Sequence, residues 1–158
     1  MDRSDILAYF NALAEASNLI KMFAANTQEL KSLVDSGFDS PILVLSEEYE
    51  GNTSINPDTP LYMWQGSFMV LAQVENDTFE AVAEAHSTAQ NLLAHVHSYI
   101  LKKNEEQTSN FGAGKYIKIE AQKFVSMNGY LSARLYGLRV FFKIEQAPDL
   151  TYKPADWV

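Results

Sequence analysis

Apolar residues recur along this chain with two different periods, and each period predicts an element. Ile6, Phe10, Leu13, Ser17 and Ile20 stand three and four apart, and Leu7, Ala14 and Phe23 widen the stripe. That spacing predicts an amphipathic helix that opens after Asp2 or Ser4, whose side chains can cap free amides, and runs to about Ala24. Asn26-Thr27-Gln28-Glu29 has the form of a capping box. It predicts a short second helix over Gln28 to Ser36, with Gly37 in the left-handed position past its end. After Ser40-Pro41 comes ILVLSEEYE, first apolar on both faces and then acidic, which predicts a strand over 42–49. The turn-rich string GNTSINPDTP, Gly51 to Pro60, reads as a loop. From Leu61 the period is two: Tyr62, Trp64, Gly66, Phe68, Val70, Ala72 and Val74 alternate with more polar positions. This is a long strand with one aromatic face, paired with 42–49 across the loop. Asn76 or Asp77 is placed to cap a long helix in which Phe79, Val82, His86, Ala89, Leu93, Val96 and Ile100 repeat for about six turns. The polar, glycine-bearing KNEEQTSNFGAGK that follows, residues 103–115, reads as a mobile loop.

The stretch from Lys115 to Glu145 holds two β-rich runs around Asn128-Gly129, a dipeptide that tolerates the positive φ values of a type I′ hairpin turn. A turn there sets Met127 against Tyr130, Ala121 against Tyr136, Ile119 against Leu138 and Ile117 against Val140, with Phe142 and Ile144 continuing the apolar face. Arg134 and Arg139 fall on the other side, where they can pair with Glu120. The tail from Ala147 has two prolines and no period, and reads as an extended arm over about 147–158. The expected fold is α+β, in the order α-α-β-β-α-β-β. An antiparallel sheet of two β-hairpins packs against the long amphipathic helix, in a single domain spanning 1–158.

Composition narrows the function classes. Of 158 residues, 20 are acidic and 12 basic, and the formal charge of −8 repels a phosphate backbone or an anionic membrane. There is no cysteine, which excludes disulfides, thiolate catalysis and cysteine zinc sites. MDRSDILAYF lacks the basic flank and apolar stretch of a signal peptide, and no later run is long enough to span a bilayer, so a soluble chain made in the cytoplasm is expected. His86 lies on an apolar stripe, while His95 and His97 point apart on a helix, and no metal or cofactor is expected. Gly112-Ala113-Gly114-Lys115 resembles part of a phosphate loop but precedes a strand and lacks the following Ser or Thr. Glu47, Glu48 and Glu50 suit a solvated, edge-protecting strand end better than a cation loop. With no nucleophile elbow in the sequence, no catalytic residue is expected and the chain does not read as an enzyme. Large aromatics at flexible positions gain most from burial by a partner, which makes Phe111, Tyr152 and Trp157 candidate interface residues.

The element order, with a long helix on a sheet of two hairpins and a final strand reading YGLRVFFKI, resembles the tail-terminator and head-tail connector group of tailed bacteriophages. The resemblance covers nearly the whole chain and implies a non-enzymatic virion structural protein of the neck, made in the host cytoplasm. Such a subunit would form a ring with copies of itself, most often a hexamer, with the sheets of neighbours joined around a lumen. It would meet neighbouring tail-tube and neck proteins, with DNA only as passing cargo and no membrane. The overhanging loop and the C-terminal arm would supply the contacts, with Glu48, Tyr49, Asn52, Ile55, Phe111, Tyr152 and Trp157 as the candidate interface. The alternative is a small α+β ligand-binding or enzymatic domain, with a pocket between the long helix and the sheet around Trp64 and Phe68.

Overall fold

A computed structural model describes residues 3–46, 50–54, 61–109, 117–131 and 133–146. The elements are α1 (Arg3–Ala16), β1 (Met22–Ala24), α2 (Thr27–Ser36), β2 (Ile42–Leu45), β3 (Glu50–Ser54), β4 (Leu61–Gln73), α3 (Phe79–Ser109), β5 (Ile117–Tyr130) and β6 (Leu135–Gln146). The α+β class is as expected, but the order is α-β-α-β-β-β-α-β-β rather than α-α-β-β-α-β-β. The sheet is not two antiparallel hairpins but a mixed, six-stranded one in the order β1-β2-β4-β6-β5 with β3 also paired with β4, because residues 22–24 and 50–54 add strands of their own. All pairings are antiparallel except β1 with β2. β2 and β3 therefore lie end to end along one side of β4, against Phe68–Leu71 and Leu61–Gln65 respectively.

Two helices cover one face of this sheet. Ile6, Phe10, Leu13 and Ala14 of α1, and Ala89, Leu92, Val96 and Ile100 of α3, share one core with Leu43, Leu45, Phe68, Val70, Leu138, Val140, Phe142 and Ile144. At its centre the rings of Phe10, Phe68 and Phe142 meet at centroid distances of 5.3, 5.2 and 6.0 Å. The third helix, α2, packs over β1 and β2 on the opposite face, where Leu30 meets Ala24, Ile42 and Val44. That is why ILVL is apolar on both sides: Leu43 and Leu45 point to one core, Ile42 and Val44 to the other.

Several boundaries differ from expectation. The helix expected to reach about Ala24 ends at Ala16, because the Ser17 hydroxyl accepts from the amides of Leu19 and Ile20, both at 3.2 Å, and turns the chain. Ile20 still reaches the core, and residues 22–24 add a parallel strand to β2. α2 follows its capping box, with Asn26 Oδ1 accepting from the Glu29 amide at 2.7 Å and Gly37 at φ 81°. Residues 51–54, expected in a loop, continue the β3–β4 hairpin. The cap of α3 is Thr78, whose hydroxyl accepts from the Ala81 amide at 3.3 Å, and not Asn76 or Asp77. The helix also runs on to Ser109 through residues expected in a loop, where Lys103 and Glu106 pair at 2.7 Å one turn apart. Phe79, expected on the buried stripe, is 84% exposed.

The largest correction concerns the β5–β6 hairpin. Ile119 lies across from Ile144, Ala121 from Phe142, Met127 from Gly137 and Tyr130 from Leu135. The chain reverses between Tyr130 and Leu135, and Asn128-Gly129 instead forms an irregularity within β5, with Gly129 at φ 60°. Anchors outside the hairpin explain the shift. The carbonyls of Arg134 and Ala133 accept from Val74 N at 3.0 Å and Gln73 Nε2 at 3.3 Å, and Arg134 Nε meets Asp77 Oδ2 at 3.6 Å. These bonds tie residues 133–134 to the end of β4 and to the segment between β4 and α3, so the strands must close around them. Arg134 is thereby taken from Glu120, which stands across from Lys143. The backbone of Ile119 stands across from Ile144, whose side chain shares one core with Leu138.

Gly137 sits where β6 crosses β4 closely, and a Cβ there would come 2.0 Å from the Val70 carbonyl oxygen. Gly137→Ala is expected to lower unfolding free energy by about 1–3 kcal/mol. Urea denaturation reads this, and an unchanged midpoint would place β6 elsewhere. Tyr9, between Phe10 and Tyr99, has a buried hydroxyl without a hydrogen-bond partner among the described residues. Burial, helped by Tyr99, raises its pKa. Below about pH 10 the phenol is neutral in both states. Above that the unfolded chain ionises first, so stability falls as pH rises. Tyr9→Phe is expected to raise stability by about 1 kcal/mol at neutral pH. It should also flatten the alkaline decline in a pH series of melts.

Candidate functional site

With one sheet face under α1 and α3, what remains accessible is the rim of the sheet and part of the opposite face. β5 is the outermost strand on one side, and at 14 residues it is roughly 45 Å long. Among the described residues no strand pairs with its outer edge. A central run from Lys123 to Met127 is regular, between irregularities at Ala121/Lys123 and Met127/Tyr130. Its neighbouring residues Phe124 and Val125 point to opposite faces and are 59% and 43% exposed. An edge with unpaired backbone groups and apolar side chains on both faces is a template for another strand.

The other rim consists of β1 and β3. The pairings make β1, β2, β3 and β6 run one way and β4 and β5 the other. The two rims are therefore antiparallel to each other. A second copy in the same orientation can add its β1/β3 rim to β5 as an ordinary antiparallel ladder, a head-to-tail contact that repeats.

Beside β5, on the face that α2 covers only over β1 and β2, lies a small cationic surface. Arg139 Cζ stands 5.2 Å and Lys123 Nζ 5.0 Å from the Phe141 ring centroid. Arg139 Nε also donates to the buried Ser67 hydroxyl at 3.0 Å. Neither cation has a carboxylate partner among the described residues, whereas Lys143 is paired with Glu145 at 2.6 Å. Val125, across from Arg139, completes the surface.

The start of α3 carries the other concentration of polar groups. Tyr136 donates to Asp77 Oδ1 at 2.9 Å, and this bond is the main reason its pKa is raised. Arg134 donates to the Glu75 carbonyl, and His86 Nε2 meets Asn128 Oδ1 at 3.0 Å. These bonds fasten the β5–β6 hairpin near its turn to α3 and to the segment that leads into it. An open cleft of about 400 Å³ lies nearby, with Glu75, Glu84, Ser40 and Thr88 among its walls. His86 is not among the residues that line it. The pocket expected around Trp64 and Phe68 is occupied by protein: Phe68 is fully buried against Phe10 and Phe142, and Trp64 packs on the same core.

Of the candidate interface residues, Asn52 lies in β3, its backbone opposite Met63 on one rim of the sheet. Glu48, Tyr49, Ile55, Phe111, Tyr152 and Trp157 lie outside the described residues, as do Glu47 and the Gly112–Lys115 segment. Sequence reasoning did not single out Lys123, Phe124, Val125 and Phe141 as surface features, because their exposure follows from a register set by anchors elsewhere. Among the described residues no group of three or more His, Asp or Glu side chains is placed to hold a metal ion, and no helix is long and apolar enough to cross a membrane. No protein-family model matches the sequence, and no curated protein matches it significantly.

Proposed function

We propose that this protein is a non-enzymatic structural subunit of a tailed-phage virion, a tail terminator or head-tail connector that assembles into a ring at the neck. One observation carries the reading: among the described residues the sheet has two unpaired rims of opposite direction, and the longer one exposes Phe124 and Val125. A heterologous contact of this kind closes into a ring when its rotation allows. The resemblance of the element order to that group supports the same reading. So does the formal charge of −8, since an acidic lumen lets DNA pass without adhering. Partners in this reading are further copies of the chain and the adjoining tube and neck proteins.

Size-exclusion chromatography with light scattering, followed by negative-stain microscopy, tests this directly. A particle of defined subunit number with a central opening is expected. A chain that stays monomeric at high concentration, alone and with tube and neck proteins added, would refute the ring. Phe124→Asp places a charge on the β5 edge and is expected to weaken assembly at least about tenfold. Its own stability should change by no more than about 0.5 kcal/mol, because the residue is exposed.

A further inference from the structure

We infer that the cationic surface of Lys123, Arg139 and Phe141 is the seat of α2 from the next copy of this chain. This rests on the head-to-tail reading above and adds to it a specific contact beside the ladder. Within one copy α2 follows β1 and lies over β1 and β2, on the same face of the sheet as Arg139 and Phe141. When a second copy adds its β1/β3 rim to β5 in the same orientation, the joined sheets share that face. The incoming α2 then arrives next to the part of the face that the first copy leaves uncovered at Val125 and Phe141.

The charges match. From Thr27 to Asp39 the incoming segment carries Glu29, Asp35 and Asp39 against a single base, Lys31. Glu29 is engaged with the Ala25 amide at 2.7 Å, while Asp35 and Asp39 have no cationic partner among the described residues. Among the described residues Lys123 and Arg139 have no carboxylate partner, in a chain that has 20 acids and 12 bases. The α2 segment is therefore net acidic, while the face beside β5 carries two bases with no carboxylate partner among the described residues, a distribution that favours unlike rims meeting and disfavours like rims. The guanidinium and ammonium groups are held beside the Phe141 ring, and Arg139 is further fixed by Ser67, so little ordering remains to be lost on contact.

Charge reversal on each rim tests the contact. In light scattering across a concentration series, K123E/R139E and D35K/D39K are each expected to raise the midpoint concentration of assembly about tenfold or more. A single chain carrying all four substitutions should recover most of the loss, because the two rims are again opposite in sign. Circular dichroism checks that each variant is folded. If K123E/R139E is not, the neutral K123Q/R139Q replaces it, with the same weakening expected and a reduced dependence of assembly on salt between about 50 and 500 mM. Both reversals assembling like the wild type would overturn the α2 contact and leave the ring standing. Failure of the fourfold variant to recover would overturn the pairing of these two rims. A monomeric wild type would remove both proposals.

Discussion

The meeting of Phe10, Phe68 and Phe142 holds this molecule together. The three rings come from α1, β4 and β6, elements far apart in the chain, and each ring is almost fully buried. Aromatic side chains of this size bury roughly 150–250 Å² each, so the cluster supplies a large share of the apolar burial at the crossing of helix and sheet. It fixes which face of β4 and β6 is turned inward, and α3 completes the cover with small and branched residues that let it lie close, Ala89 and Val96 among them.

Covering one face so completely leaves the other unequal. α2 is only ten residues long and packs over β1 and β2, while β4 and β6 lie in the middle of the sheet and β5 at its edge. Among the described residues the result is a sheet closed on one side, half closed on the other and unpaired at both rims. Exposed apolar groups are tolerated singly on any surface, but here Phe124 and Val125 coincide with a backbone edge and two cations that have no strand or carboxylate partner among the described residues. The polar groups at the start of α3 have a different character. Tyr136, Asp77, Arg134 and His86 are engaged with one another or with the β5–β6 turn, which makes them fasteners of the fold.

What the sequence by itself determined is the material of each element. The three-and-four spacing of α1 and α3, the alternation in β4, the Asn26 capping box and the doubly apolar ILVL all appear in the structure, because each depends on contacts within a few residues or on which side of an element is buried. Where elements stop was decided by tertiary structure. Ser17 ends α1 because the following residues have a strand to join, and 51–54 become a strand because the rest of β4 offers its edge. The β5–β6 register shows this most directly. Asn128-Gly129 satisfies the local geometry of a tight turn, but its preference is worth little beside bonds that residues 133–134 make to Val74, Gln73 and Asp77, about sixty residues earlier in the chain. The exposed face of β5, and with it the candidate interface, follows from that register. Local pattern specifies what a segment can bury, whereas only the assembled core specifies which partners it meets.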